Sequence, residues 1–191
     1  MKYLKRILIA GEGGQGVQVI SKVLTDGAYL SGNKVSYVAN YGVEQRGGVS
    51  LGFVQIANQE IGFSKFQYAD ILVVLADRAA PRILSCIKKD TVIMYDRDLV
   101  SEESLSNIKN RKVPVVAMSI AKEKMNVRAF NVIILGAILS LIDGVSIGNV
   151  QKALDSNLAR AYVKHPEMEH FNKRALEMGI SSMTHKESIY A

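Results

Sequence analysis

The chain has 191 residues, 48% hydrophobic and 22% charged, with a formal net charge of +6. That balance describes one globular domain with a full core and excludes a disordered chain. The 24 basic residues are scattered, in runs no longer than a pair such as Arg111-Lys112. This excludes the clustered patch of a nucleic-acid binder and leaves a solvated basic surface or a face for an acidic partner.

One cysteine, Cys86, precludes an internal disulfide and falls short of the about four thiolates an iron–sulfur cluster takes. His165, His170 and His185 lie near the C-terminus with no carboxylate pattern around them, so no metal site is expected on this chain. Any metal or cluster must then sit on a partner. The apolar run Ile7-Leu8-Ile9-Ala10 is too short for a signal peptide and meets glycines at once. The stretch 130–142 is interrupted by Asn131, Gly136 and Ser140 and is shorter than the roughly 20 residues of a membrane span. A cytoplasmic protein without membrane contact is expected.

In chain order, residues 5–10 read as a buried strand ending at Gly11-Glu12-Gly13-Gly14-Gln15-Gly16. Val17, Ile20, Leu24 and Ala28 recur at helical spacing, Gly32-Asn33 breaks the chain, and 34–39 reads as a second strand, completing a βαβ unit. After the glycine-rich segment 41–48, residues 49–57 alternate and turn at Asn58-Gln59 into 60–63, which predicts an inserted β-hairpin. Residues 69–76 form a continuous apolar run of the parallel-sheet kind, and Asp77 is placed to cap a helix through Lys88, with Pro81 in its first turns. Strands are predicted over 91–95 and 113–120, with a helix start at Ser101-Glu102-Glu103 between them. A central apolar helix spans 127–142 and stops at Asp143-Gly144. Val150, Ala153, Leu154, Leu158 and Ala161 mark an amphipathic helix, and Pro166 opens a last one carrying Phe171, Ala175 and Met178. The tail after Gly179 is expected to fray. The predicted fold is a Rossmann-like wound α/β domain: a mostly parallel sheet, helices on both faces and an inserted β-hairpin. It occupies residues 1–180, and 181–191 form a C-terminal tail.

Gly11, Gly13 and Gly16 satisfy G-x-G-x-x-G at the strand-to-helix turn, where free N–H groups can meet an anion. Gly14 lies within the same turn, and Gln15 can fold across it with its amide. The other reading is that these glycines only let the helix pack closely on the sheet. Against ordinary nicotinamide binding, the second strand carries no Asp or Glu at its end to hold a ribose. Arg46-Gly47-Gly48 is the second candidate: paired glycines can form an anion-accepting nest beside a guanidinium that recognises carboxylate or phosphate. Glu44 is placed to orient or neutralise Arg46; the other reading is a Glu44–Arg46 or intersubunit salt bridge that only shapes the loop, and whether Arg46 meets a ligand or a partner subunit stays open. No nucleophile and base can be assembled: Ser50 has no histidine near it in sequence, Cys86 reads as an inert core thiol, and Asp70 and Asp77 read as strand-end or cap residues. Asp77 is the better placed of the two for a site. No residue is assigned as catalytic, and the chain reads as a subunit rather than a self-sufficient enzyme.

Taken together, residues 9–17 (IAGEGGQGV) and 41–50 (YGVEQRGGVS) resemble the two signatures of the gamma subunits of 2-oxoacid:ferredoxin oxidoreductases. Residues 69–75 and 131–137 fit that family's following strand and late helix, and the resemblance runs over about residues 5–165 in the family's order. It implies a multi-subunit enzyme that converts a 2-oxoacid and coenzyme A to acyl-coenzyme A and CO2, with electrons passing to ferredoxin. Thiamine diphosphate and iron–sulfur clusters would belong to alpha, beta and delta-type partner subunits. If this domain handles coenzyme A, the resemblance makes Gly11, Gly13, Gly14, Gln15, Gly16, Arg46, Gly47 and Gly48 its contacts. The 44–50 segment is most similar to the 2-oxoglutarate type, with branched-chain 2-oxoacid and indolepyruvate types also open. An isolated preparation is expected to be inactive and able to dimerise through faces meant for partners. A stand-alone nucleotide- or coenzyme A-binding module is the competing reading.

Overall fold

Alternation of side chains across each strand builds two cores in this computed structural model, which describes residues 3–41 and 48–187. Along β1 (Leu4–Glu12), Ile7 and Ile9 enter one core while Leu8 and Ala10 enter the other. The neighbouring strands repeat the division: Val54, Ile56, Ile71 and Val73 lie on the first face, and Phe53, Leu72 and Val74 on the second.

Among the described residues six strands form one sheet in the order β2-β3-β1-β4-β5-β6, with β2 Lys34–Tyr41, β3 Val49–Ala57, β4 Ile71–Val74, β5 Val92–Asp96 and β6 Lys112–Val115. Strands β1, β4, β5 and β6 pair in parallel. β3 runs antiparallel to both β1 and β2, so it alone opposes the rest. The opening βαβ unit is therefore split: α1 (Val17–Leu30) carries the chain from β1 to β2, and β3 then returns between them. The expected pairing of 49–57 with 60–63 is not found. A strand has two edges, and β3 gives one to β1 and the other to β2, from Lys34↔Ala57 to Tyr41↔Ser50. Residues 60–63 instead form a loop held to β3 by the Gln55 side-chain amide, which donates to the Phe63 carbonyl at 2.6 Å.

Three further expectations are corrected, two of them through tertiary contacts. The helix expected over 77–88 is broken into a 3-10 turn at Asp77–Ala79, α2 (Ala80–Ile83) and a 3-10 turn at Leu84–Cys86. Asp77 does not cap it; its carboxylate accepts from the Ser101 amide at 2.8 Å and hydroxyl at 3.0 Å. The run 113–120 starts as β6 but becomes α3 (Ala117–Lys124), because the buried Asp96 carboxylate accepts the Met118 amide at 3.0 Å and Asp98 accepts that of Ser119 at 2.9 Å. Carboxylates at the first-turn amides draw an apolar segment into a helix. The start expected at Ser101 yields one 3-10 turn, Glu103–Leu105.

Helices α4 (Phe130–Leu139), α5 (Ile147–Lys164) and α6 (Glu167–Glu187) complete the first face with α1 and α3. In α4 every residue but Asn131 is buried, as its apolarity on all sides requires. Helix α6 does not end at Gly179 but continues to Glu187, since that glycine is a point of contact: a Cβ there would lie 2.1 Å from the Ile133 carbonyl oxygen of α4. Among the described residues no helix is long and apolar enough to cross a membrane.

Candidate functional site

The connections from β1 and β4 leave on opposite faces of the sheet, so a crevice opens between their carboxyl ends. Ligands in open α/β sheets collect at such a point. The glycine turn occupies it. Gly14 and Gly16 have φ of 101° and 76°, backbone that favours glycine. Gly16 is the residue before α1, and a Cβ on it would meet Asn131 of α4 at 2.9 Å. At Gly11 a Cβ would come within 2.6 Å of the Gln15 side-chain oxygen. The first-turn amides of α1 have no carbonyl four residues back inside the helix and face the turn as donors.

Gln15 folds across the turn. Its Oε1 accepts the Glu12 amide at 2.7 Å and its Nε2 donates to the Leu75 carbonyl at 2.8 Å, tying the turn to the end of β4. Both ends of the side chain are spent, so Gln15 fixes the turn's shape. Gly48 joins the same place: its carbonyl accepts the Gly13 amide at 3.2 Å. The two glycine segments therefore meet at the end of β1. Arg46 and Gly47, with Glu44, lie outside the described residues.

Several side chains complete the site without having been singled out by the sequence. Arg78, just after β4, reaches Glu12 with Nε to Oε1 at 3.2 Å and spans the crevice with a guanidinium. Gln18 in the first turn of α1 donates to Ser50 Oγ at 2.7 Å and to the Leu51 carbonyl at 3.2 Å, and accepts from the Tyr37 hydroxyl. Ser50 is thus a link between helix and hairpin. Their signal in the sequence was position alone: Gln18 is the second residue of the helix, and Arg78 lies two residues past the apolar run 69–76.

The other candidates are accounted for structurally. Asp70 accepts the Arg6 amide at 2.7 Å and pairs with Lys88. Asp77 is held below the usual carboxylate range by hydrogen bonds from the Ser104 hydroxyl and then from Ser101. Cys86 is half-buried against the second core rather than within a long helix. His165 and His170 line a cavity between α3 and the α5–α6 corner, far in sequence from either glycine segment. Among the described residues no three His, Cys, Asp or Glu side chains group as a metal site. β2, whose end a ribose-binding acid would occupy in a dinucleotide site, stands at the sheet edge with β3 between it and β1.

Residues 6–182 match the family described as pyruvate ferredoxin/flavodoxin oxidoreductase. The chain is 33% identical over 157 residues to 2-oxoglutarate synthase subunit KorC of Methanocaldococcus jannaschii, covering 81% of this chain and 83% of that one. In structure it is similar to the keto/oxoacid ferredoxin oxidoreductase gamma subunit of Geobacter sulfurreducens, with a TM-score of 0.74 and 24% identity over 94% of this chain and 98% of that one. It is similar in fold, with a TM-score of 0.84 and 22% identity over 96% of its length, to 32% of a chain of the Magnetococcus marinus 2-oxoglutarate:ferredoxin oxidoreductase, solved with 2-oxoglutarate, coenzyme A and succinyl-CoA bound.

Proposed function

The chain belongs to the pyruvate ferredoxin/flavodoxin oxidoreductase family, and on that premise we propose that it is the gamma subunit of a 2-oxoglutarate-type 2-oxoacid:ferredoxin oxidoreductase. The observation that carries this reading is the match to a 2-oxoglutarate synthase subunit over most of both chains. A relative that is itself a subunit favours a part of a complex over a stand-alone nucleotide carrier. The complex would oxidise 2-oxoglutarate with coenzyme A to succinyl-coenzyme A and CO2, passing two electrons to ferredoxin in the cytoplasm. Thiamine diphosphate, which supplies the carbanion chemistry, and the iron–sulfur clusters would be held by alpha, beta and delta-type partners. The single, half-buried Cys86 fits no cluster on this chain.

What this chain contributes is an anion cradle. The first-turn amides of α1 offer donors, Gly13 and Gly14 leave the approach free of side chains, and Gln15 keeps the turn closed onto β4. To Arg46 and Gly47 we assign a second set of donors, next in sequence to Gly48, whose carbonyl accepts the Gly13 amide at 3.2 Å. Together they suit the phosphates of coenzyme A: fixed amides neutralise charge without moving, while a guanidinium adds a bidentate grip.

The test is co-purification of the tagged chain from its native host grown without oxygen, followed by an assay of coenzyme A-dependent oxidation of several 2-oxoacids. Recovery of thiamine-binding and cluster-bearing subunits, with 2-oxoglutarate preferred, is the expected result. Preference for a branched-chain oxoacid would retain the family and change the substrate. In the same preparation Arg46→Ala is expected to raise the KM for coenzyme A or impair assembly, and unchanged assembly and turnover would remove Arg46 from the cradle.

A further inference from the structure

At the opposite end of the sheet from the glycine turn, Arg6 lines a cavity of about 440 Å3 together with Gln55, Phe63, Lys65 and Tyr68. Its Nε is buried and has no hydrogen-bond partner among the described residues. Burying an N–H without an acceptor is unfavourable, so such an atom points to something not present in the chain alone. The nearby acids are engaged elsewhere. Asp70 gives one oxygen to the Arg6 backbone amide and the other to Lys88, and Glu60 pairs with Lys34 at 3.0 Å.

The rim is unusual for a free surface. Phe63 is 86% exposed and Tyr68 45% exposed, beside an arginine that pairs with no carboxylate among the described residues. Lys65 stands with Nζ 5.0 Å above the Phe53 ring and adds a second positive charge to the same cavity. Exposed aromatics around an arginine are the composition of an interface centre. This cavity also belongs to the thinly covered face of the sheet. Over the second core the connecting helices are α2 of four residues and 3-10 turns of three, whereas α1, α3, α4, α5 and α6 all pack on the first.

We propose that the Arg6 cavity is a docking site for a partner subunit of the complex, filled by an Asp or Glu side chain of that partner, with Phe63 and Tyr68 packing around it. The charge of the cavity selects an acid, and the aromatic rim selects a protein surface over a small ion. The proposal rests on the subunit reading above and adds where, and through what chemistry, the partner binds.

The experiment uses the full-length tagged chain in its native host. Arg6→Gln and Phe63→Ser are each expected to lower recovery of the alpha- and beta-type subunits tenfold or more. The melting temperature of the purified chain should not fall in either variant. In the complex formed by Arg6→Lys, a water-soluble carbodiimide is expected to join the introduced ammonium to a partner carboxylate, identified by mass spectrometry. Several results count against the site. If wild type recovers the partners and both variants recover them equally well, the docking proposal falls and the subunit reading stands. If wild type recovers no such subunit, the subunit reading falls and takes the proposal with it. Sedimentation in which Arg6→Gln dissolves a dimer of the isolated chain would make the occupant a second copy. Titration with 2-oxoglutarate that binds wild type and not Arg6→Gln would make it a small carboxylate.

Discussion

Individual side chains at the turn do structural work that can be weighed separately from ligand binding. Gln15→Ala leaves the Glu12 amide and the Leu75 carbonyl without their bridge, and is expected to cost about 1–3 kcal/mol in urea denaturation of the chain. Gly16→Ala combines a φ of 76° with a collision at Asn131, whereas Gly14→Ala, at φ 101°, meets open space. The first should therefore lose more stability than the second, whose penalty is limited to roughly the 1–2 kcal/mol of left-handed backbone. Asp96 sets a pH dependence. It is fully buried, and burial pushes its carboxyl above the ordinary value of 3.8 despite the amides of Met118 and Asp98. The native state then holds the proton more tightly than the unfolded chain. Stability contributed by protonated Asp96 is full below 3.8 and falls as pH rises through the raised folded value. Asp96→Asn should lose this component, so denaturation midpoints of wild type and variant, compared across pH, should differ in slope above 3.8. Asp77 acts with the opposite sign: its lowered carboxyl contributes above 3.8 and is lost as pH falls through the folded value.

At the scale of elements, close helix approach decides what local sequence does not. Gly136 of α4 and Gly179 of α6 let the two backbones touch: a Cβ at Gly136 would lie 2.2 Å from the Leu176 carbonyl oxygen. Backbone cannot rotate away as a side chain tip can. Gly136→Ala and Gly179→Ala are each expected to destabilise by about 1–3 kcal/mol, and together to fall short of the sum, since the first already separates the helices. Thermal denaturation of the two single variants and the double variant checks this. The same contact explains why Gly179 read as a helix end: in sequence a glycine signals only lost propensity, and its packing partner Ile133 lies in another helix. Strands β1, β4 and β5 were legible because their apolar runs are buried on both faces, α1 and α5 because their periodicity is strong, and α4 because it is apolar on all sides. The hairpin partner of β3 was not legible. Residues 60–63 looked like a strand, yet β2 had taken the free edge, and edge occupancy is a property of the whole sheet. The second half of 113–120 failed for a similar reason, since Asp96 and Asp98 supply its helix cap from across the sheet.

For the whole molecule, the candidate site was legible in its backbone and not in its side chains. The glycines of 11–16 declared the turn, and Gly48 meets it through the Gly13 amide, but Arg78 and Gln18 arrive through folding from β4 and α1. The uneven burden of the two sheet faces was not legible either, because apolar strands read alike whichever layer covers them. That asymmetry has an energetic consequence. Among the described residues the first face is sealed by five helices, while the second relies on loops and single turns. Segments covered by few apolar contacts open most readily, and a partner that binds only the folded state stabilises what it covers. Hydrogen exchange should therefore respond to assembly unequally: amides over 58–70 and 77–89 should gain protection in the complex, while those of α4 should stay as slow as in the free chain. Mass spectrometry of the free and assembled chain reads this directly. Equal protection on both faces would mean that partners stabilise the domain globally, and protection confined to α4–α6 would put the interface on the helical side.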